Sequence, residues 1–164
     1  MPKLAELNAL GREEFTRLLG PVFEHSPWVA ARTCSQRPFR SRVDLHAALC
    51  ATVAKASDDE KLSLIRAHPD LIGDDEITDS SRVEQASAGL DQASPEEVKQ
   101  FREYNRQYRK RFGFPFVICA RLHKKEAIAR AFPARLRNTR EQELQTALDE
   151  ISKIAGLRLR EIIQ

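Results

Sequence analysis

Residues Val43–Ala56 read VDLHAALCATVAKA, and the spacing of their apolar side chains decides the fold class. Apolar positions that recur at steps of three and four fall on one face of a helix with 3.6 residues per turn. The positions that fit are Leu45, Ala48, Leu49, Thr52, Val53 and Ala56. The stretch therefore predicts a helix that buries one face.

Similar signals extend over the rest of the chain, where many helices begin at a serine. Ser57 with Glu60 has the spacing of a capping box, as does Ser81 with Glu84. The predicted helices lie at 13–19, from 26, at 43–56, 57–68, within 77–86, at 94–113, at 125–131 before Pro133, and at 140–162. We expect an all-α fold, a single helical-bundle domain of about seven to eight helices over residues 1–164.

One segment interrupts the helical pattern. Residues 114–120 read FPFVICA and form the most apolar run of the chain. The run is too short and too proline-broken for a long helix, and it is rich in residues that favour extended structure. We predict a buried extended or irregular segment through the core.

Composition excludes several classes of protein. The 164 residues carry 27 basic and 24 acidic side chains, largely intermixed, which gives little support to a nucleic-acid partner. No apolar run approaches the ~18 residues that a membrane helix needs, and the start of the chain does not lead into a signal peptide. We therefore expect a cytoplasmic protein without a membrane partner. The odd number of cysteines, at 34, 50 and 119, argues against a disulfide framework and a cysteine zinc site.

His68 lies in the stretch RAHPDLIG, residues 66–73, directly before Pro69. A proline disfavours helical geometry in the residue before it, so the helix should stop here and expose His68 at its end. Histidine has the side-chain pKa nearest to physiological pH, which suits it to proton transfer. The residues alone leave open a second interpretation, a polar residue at a helix terminus.

Arg158 and Glu84 also allow two interpretations each. Arg158 falls only about 40° from the apolar direction of the last helix. Its guanidinium therefore lines a cavity, pairs with an internal carboxylate or snorkels past the helix end. Glu84 either closes a capping box with Ser81, or it joins Ser81 and Gln85 at a helix start that receives an anionic or carbonyl-rich ligand. Gly156, inside the same last helix as Arg158, has a helical cost that the sequence does not explain.

Other chemistries find no support in the sequence. The four histidines lack the spacing of zinc ligands, so no metal site is predicted. The chain has no phosphate-binding glycine loop, dinucleotide fingerprint or nucleophile elbow.

Several blocks of the chain together resemble a known family, the 2-oxo-4-hydroxy-4-carboxy-5-ureidoimidazoline (OHCU) decarboxylases. The resemblance spans nearly the whole chain, in the right order. The blocks are FEHSPW at 23–28, AHPDL at 67–71, SRVEQ at 81–85, AGLD at 88–91, Asn105 with Tyr108, RFGFPFVICAR at 111–121, EISKIA at 150–155 and Leu157–Leu159.

The resemblance implies an all-helical, cofactor-free carboxy-lyase that forms (S)-allantoin in the last step of urate degradation, commonly as a homodimer. It assigns catalytic roles to His68, Glu84 and Arg158. It assigns substrate binding to Pro69, Ser81, Gln85, Phe116, Val117, Ile118, Cys119 and Ala120. The chain ends at Glu161–Gln164 without the peroxisomal tripeptide that animal members often carry, which supports a cytosolic enzyme of the bacterial type.

Two other functions remain open at this point. One is a non-catalytic helical binding module that uses the basic cluster Arg106–Arg111 on an acidic partner, although a solvated helix face explains the cluster equally simply. The other is a lyase that acts on a related ureide.

Overall fold

A computed structural model describes all residues from Met1 to Gln164, and its regular secondary structure is entirely helical, without strands. This confirms the predicted all-α class. The helices are α1 (Leu4–Ala9), α2 (Arg12–Leu19), α3 (Trp28–Thr33), α4 (Arg42–Ala54), α5 (Asp58–Arg66), α6 (Asp79–Ser87), α7 (Pro95–Phe112), α8 (Lys125–Leu136) and α9 (Arg140–Ile162). The short helix α1 was not predicted. None of the nine is both long and apolar enough to cross a bilayer.

The chain divides into two compact units. Unit 1 comprises Met1–Ala67 and Ser152–Gln164, and unit 2 comprises His68–Ile151, so the long helix α9 contributes residues to both. The core of unit 1 is aliphatic and includes Leu7, Leu19, Val29, Leu45, Leu49, Leu64, Leu159 and Ile163. The core of unit 2 is largely aromatic and includes Phe101, Tyr108, Phe112, Phe114, Phe116 and Phe132.

Two predicted helix starts are capped by serines. The Ser57 hydroxyl accepts a hydrogen bond from the backbone N–H of Glu60 at 3.1 Å, and the Glu60 carboxylate accepts one from the N–H of Ser57 at 3.1 Å. Ser94 and Glu97 form the same reciprocal pair at the start of α7. The predicted capping box at Ser57 and the predicted helix start at Ser94 are therefore confirmed.

The predicted capping box of Ser81 and Glu84 is wrong. Helix α6 begins one turn earlier, at Asp79, because the Thr78 hydroxyl accepts a hydrogen bond from the N–H of Ser81 at 3.2 Å and acts as the cap. Ser81 is thus the third helical residue, and Glu84 lies in the second turn.

The predicted end of α8 before Pro133 is also wrong, since the helix continues to Leu136. Packing on both sides of the proline holds the last turn. The Phe132 ring stacks on Phe116 with centroids 3.8 Å apart, and Arg135 makes a buried ion pair with Glu143 at 2.7 Å. Tertiary contacts therefore override the helix-breaking tendency of proline.

Gly156 faces the ring of His46 within unit 1. A Cβ atom at position 156 would lie 3.2 Å from Cε1 of His46, and the Nε2 atom of that ring is 2.8 Å from the carbonyl oxygen of Ser152. A glycine at this position therefore leaves room for an imidazole that hydrogen-bonds to the backbone of α9.

Candidate active site

His68 lies just beyond the end of α5, at the beginning of unit 2. Helix α5 ends at Arg66, with Ala67 as its C-cap, which confirms that the helix stops ahead of Pro69. The expected exposure of His68 is wrong, because the side chain is only 6% exposed. Burial of the imidazole favours the interpretation of His68 as a functional group over its interpretation as a polar residue at a helix terminus.

The segment after His68 is a tight turn, which we call the His68 turn (residues 68–73). Ile72 has a φ of +54°, a left-handed conformation that β-branched residues rarely adopt. Gln85 of α6 bridges the turn: its Oε1 atom accepts from the N–H of Ile72 at 3.1 Å, and its Nε2 atom donates to the carbonyl of Asp70 at 3.3 Å. Gln85, predicted to bind substrate, thus also fixes the backbone next to His68.

Helix α6 presents Ser81 and Glu84 on one buried face, since residues three apart lie on the same side of a helix. Ser81 is buried, and Glu84 is only 8% exposed. A carboxylate buried to this degree requires polar partners or a ligand, because an isolated buried charge is strongly unfavourable.

The predicted irregular segment is confirmed. Residues 115–119 have no regular secondary structure, a short 3₁₀ turn follows at Ala120–Leu122, and the whole stretch 114–120 is buried. Two side chains hold its backbone: Arg135 donates to the carbonyl of Val117 at 2.6 Å, and Glu150 accepts from the N–H of Cys119 at 3.2 Å. We call residues Phe116–Ala120 the wall.

A buried polar network supports the backbone of the wall. Glu143 accepts hydrogen bonds from the Tyr108 hydroxyl at 2.6 Å and from Nε of Arg135 at 2.7 Å. The Arg135 guanidinium also lies over the Phe116 ring, 4.2 Å from its centroid. Burial and the Glu143 carboxylate raise the pKa of Tyr108 above its ordinary value, so this hydroxyl remains a hydrogen-bond donor.

The sequence analysis missed the network of Arg135, Glu143 and Glu150. Helical spacing gave no signal for the two glutamates, because at 100° per residue Glu143 and Glu150 lie about 100° and about 120° from the apolar direction of α9. The test that singled out Arg158, about 40° from that direction, therefore does not select these carboxylates.

Arg158 lies in the part of α9 that belongs to unit 1, and it is only 3% exposed. Its Nη2 atom is 3.2 Å from Oε2 of the buried Glu24, and its Nη1 atom donates to the carbonyl of Pro21 at 3.0 Å. Pairing with an internal carboxylate is therefore confirmed, and the snorkelling interpretation is wrong. All other predicted site residues belong to unit 2.

The cysteines and acidic residues form no further centre. Cys34 and Cys119 are buried, and none of the three cysteines forms a disulfide. No group of three or more histidine, cysteine, aspartate or glutamate side chains is placed to hold a metal ion.

Known proteins are similar to this chain in sequence and in fold. The sequence model of a family described as OHCU decarboxylase matches residues 8–160. A 2-oxo-4-hydroxy-4-carboxy-5-ureidoimidazoline decarboxylase of Halalkalicoccus jeotgali is 45% identical over 157 residues, which make up 96% of this chain and 89% of that protein. A uric acid degradation bifunctional protein of Bacillus sp. (strain TB-90) is 42% identical over 100% of this chain and 33% of its own length. The crystal structure of an (S)-allantoin synthase matches with a TM-score of 0.81 and 30% identity, over 100% of this chain and 54% of that one.

The fold and its similarity to these proteins identify the chain as an all-helical enzyme of the carboxy-lyase class. It belongs to the OHCU decarboxylase family.

Proposed function

We propose that this enzyme decarboxylates OHCU to (S)-allantoin, the last step of urate degradation, with one functional domain across residues 1–164. The observation that carries the proposal is the buried His68 at the end of α5 in a chain of this family. A buried imidazole beside a rigid turn is suited to deliver a proton to one face of a reacting carbon.

The substrate itself provides the electron sink. Its carboxylate is attached to a ring carbon next to a C=N bond. As carbon dioxide leaves, the electron pair of the breaking C–C bond forms a C=C bond between the two ring carbons, and the π pair of the C=N bond moves to the nitrogen, which takes a proton. The resulting enol then takes a proton on the ureido-bearing carbon, while its hydroxyl proton is lost to form the ketone. The enzyme has to orient the ring and protonate one face to obtain the (S) product.

We assign these steps to the buried polar residues of unit 2. His68 transfers the proton, with Pro69 beside it. Glu84 binds the substrate hydroxyl or ureido donors and takes the hydroxyl proton. Ser81, Gln85 and the backbone of the wall orient the ring. The hydrogen bonds of Arg135 and Glu150 to the wall support this role, since a fixed backbone can present its N–H and C=O groups without reorganisation.

We assign Arg158 to the ring or ureido oxygens of the substrate, where negative charge accumulates as carbon dioxide leaves. Binding the departing carboxylate would stabilise the ground state more than the transition state. Contacts with Glu24 and Pro21 fix the plane of the guanidinium for this task. Arg158→Lys should lose turnover because a lysine lacks the fork geometry, whereas Arg160→Lys, an exposed neighbour on α9, should not. An unchanged kcat in Arg158→Lys would remove the residue from the mechanism.

The decisive experiment follows the optical activity of the product. The protein is added to urate with urate oxidase and hydroxyisourate hydrolase, so that OHCU forms in the cuvette. Uncatalysed decay gives racemic allantoin, and the proposed activity gives the (S) enantiomer, which circular dichroism detects. Racemic product at the uncatalysed rate would refute the proposal, and turnover of another ureide alone would favour the related lyase.

The basic cluster Arg106–Arg111 gives no support to the binding-module alternative. Arg106 binds Glu103 with an N–O distance of 3.0 Å, and Nε of Arg109 lies 2.9 Å from the Asp70 carboxylate. Arg109, Lys110 and Arg111 also occupy the last turn of α7, where cations favour the helix dipole. These contacts within the chain account for the cluster.

The proposal extends to location and assembly. We propose a cytoplasmic homodimer that needs no cofactor. Light scattering on the purified protein should give twice the mass of 18.7 kDa, and a mass of one chain would refute the dimer without affecting the proposed reaction. Activity after exhaustive dialysis against a chelator tests the absence of a metal requirement.

A further inference from the structure

The His68 turn is held by side chains from two helices of unit 2. Gln85 of α6 makes the two backbone hydrogen bonds described above. Asn105 of α7 adds a third, since its Nδ2 atom donates to the carbonyl of Leu71 at 2.8 Å. Arg109, one turn further along α7, reaches the Asp70 side chain. Each residue of the segment 70–72 therefore has a contact that restricts its position.

The backbone of this turn does not reach its conformation easily. Ile72 has a positive φ, and a Cβ atom on Gly73 would come within 3.2 Å of Cβ of Asp70. Strained conformations of this kind persist only where the surrounding contacts determine them, and they concentrate at functional sites. Without its side-chain contacts, the turn should relax, and the residues at its start should move.

Asn105 has an unusual environment for a residue that only stabilises a turn. Its side chain is 5% exposed, and its Oδ1 atom is buried without a hydrogen-bond partner. A flipped amide would place Oδ1 against the carbonyl of Leu71, so the bond to Leu71 determines the orientation. The hydrogen bond to Leu71 therefore holds the side chain in the orientation in which Oδ1 makes no hydrogen bond within the chain.

We infer that Asn105 is a positioning residue, which holds the left-handed turn at Ile72 and thereby the imidazole of His68. The inference rests on the proposed function, because it assigns the turn a part in proton transfer. Asn105 itself takes no proton. The exposed ion pair of Arg109 with Asp70 contributes less, since surface salt bridges are weak.

The test replaces Asn105 by leucine, which has a similar size but cannot donate. We expect kcat for OHCU to fall about 10-fold or more, with KM changed by less than about threefold, because a small displacement of a catalytic group affects the chemical step most. Asn8→Leu is the matched control. Asn8 of unit 1 also donates to a loop carbonyl, that of Phe39 at 2.9 Å, so its replacement should lower stability and leave kcat unchanged.

A second substitution tests the cause of the loss. Glycine adopts positive φ without strain, so Ile72→Gly in the Asn105→Leu background should recover at least about threefold in kcat. The same substitution should give no recovery in the Asn8→Leu background. If Asn105→Leu does not fold, Asn105→Ala also removes the donor and should show the same loss and the same recovery.

Hydrogen exchange gives a readout that does not depend on activity. Protection of the Ile72 amide should drop in Asn105→Leu and persist in Asn8→Leu. A wild-type kcat, or unchanged protection of Ile72, in Asn105→Leu would overturn the inference. A wild-type protein that gives only racemic allantoin would instead refute the proposed function, and the exchange data would still decide whether Asn105 holds the turn.

Discussion

His68 and Glu84 are the titratable residues of unit 2 on which the proposed chemistry depends most. His68→Asn and Glu84→Ala should each keep the helical fold and lower (S)-allantoin formation by at least ~10²-fold, the usual size of a general acid–base contribution. Circular dichroism of the product measures the rate, and the far-ultraviolet spectrum checks the fold. Enantiopure product at the wild-type rate from either variant would exclude that residue from proton transfer.

Gly156 offers a second test at the residue scale. Replacing a helical glycine by alanine normally stabilises by about 1 kcal/mol, but here the added methyl group meets the His46 ring at 3.2 Å. We expect Gly156→Ala to destabilise the protein by about 1–3 kcal/mol, the cost of overpacking. In a His46→Ala background the same change should be stabilising, and urea denaturation measures both. Stabilisation in the wild-type background would show that the ring gives way without cost.

At the scale of elements, the backbone of the wall depends on the buried charges that hold it. Glu143→Ala leaves the Arg135 guanidinium without its carboxylate in a buried environment, which should cost about 3–5 kcal/mol of unfolding free energy. Glu141→Ala is the control: this glutamate is exposed two residues earlier on α9 and should change stability by less than about 0.5 kcal/mol. Equal effects of the two substitutions in urea denaturation would contradict a structural role for the network.

The start of α5 should respond to pH. The hydrogen bond from Arg32, followed by that from the Ser57 backbone, lowers the pKa of Glu60 to about 2. A carboxylate with a lowered folded-state pKa adds stability above its unfolded value of about 4.3 and loses it as the pH falls towards 2. The wild type should therefore melt above Glu60→Gln at pH 7, and the difference should vanish near pH 2. A difference that does not change over this range would contradict the assignment.

At the scale of the whole molecule, local patterns account for most of the helices. The apolar spacing of residues 43–56 predicted α4, and the serines at 57 and 94 predicted the starts of α5 and α7 within one residue. These predictions succeed because capping and amphipathic spacing involve neighbours in sequence. Helix α1 was missed since its six residues bury only Leu7.

The wrong predictions all concern competition with distant contacts or with an alternative neighbour. Thr78, and not Ser81, caps the start of α6. Threonine and serine both have a hydroxyl that can cap a helix, so the sequence did not distinguish between them. Pro133 was read as a helix end, yet packing of Phe132 and Arg135 carries α8 past it. The members of the candidate site were proposed from motifs and not from geometry, since the side-chain contacts that bury them join residues far apart in sequence.

The sequence by itself determined the all-helical class, the positions of most helix starts and the end of α5 ahead of Pro69, because propensity, capping and apolar period act over a few residues. Only the tertiary structure decided that His68 is buried, that Arg158 pairs with Glu24, and that Gln85 and Asn105 hold the His68 turn. These outcomes depend on which side chains meet after the chain has folded. Burial and ion pairing are properties of these tertiary contacts and not of any single stretch of sequence.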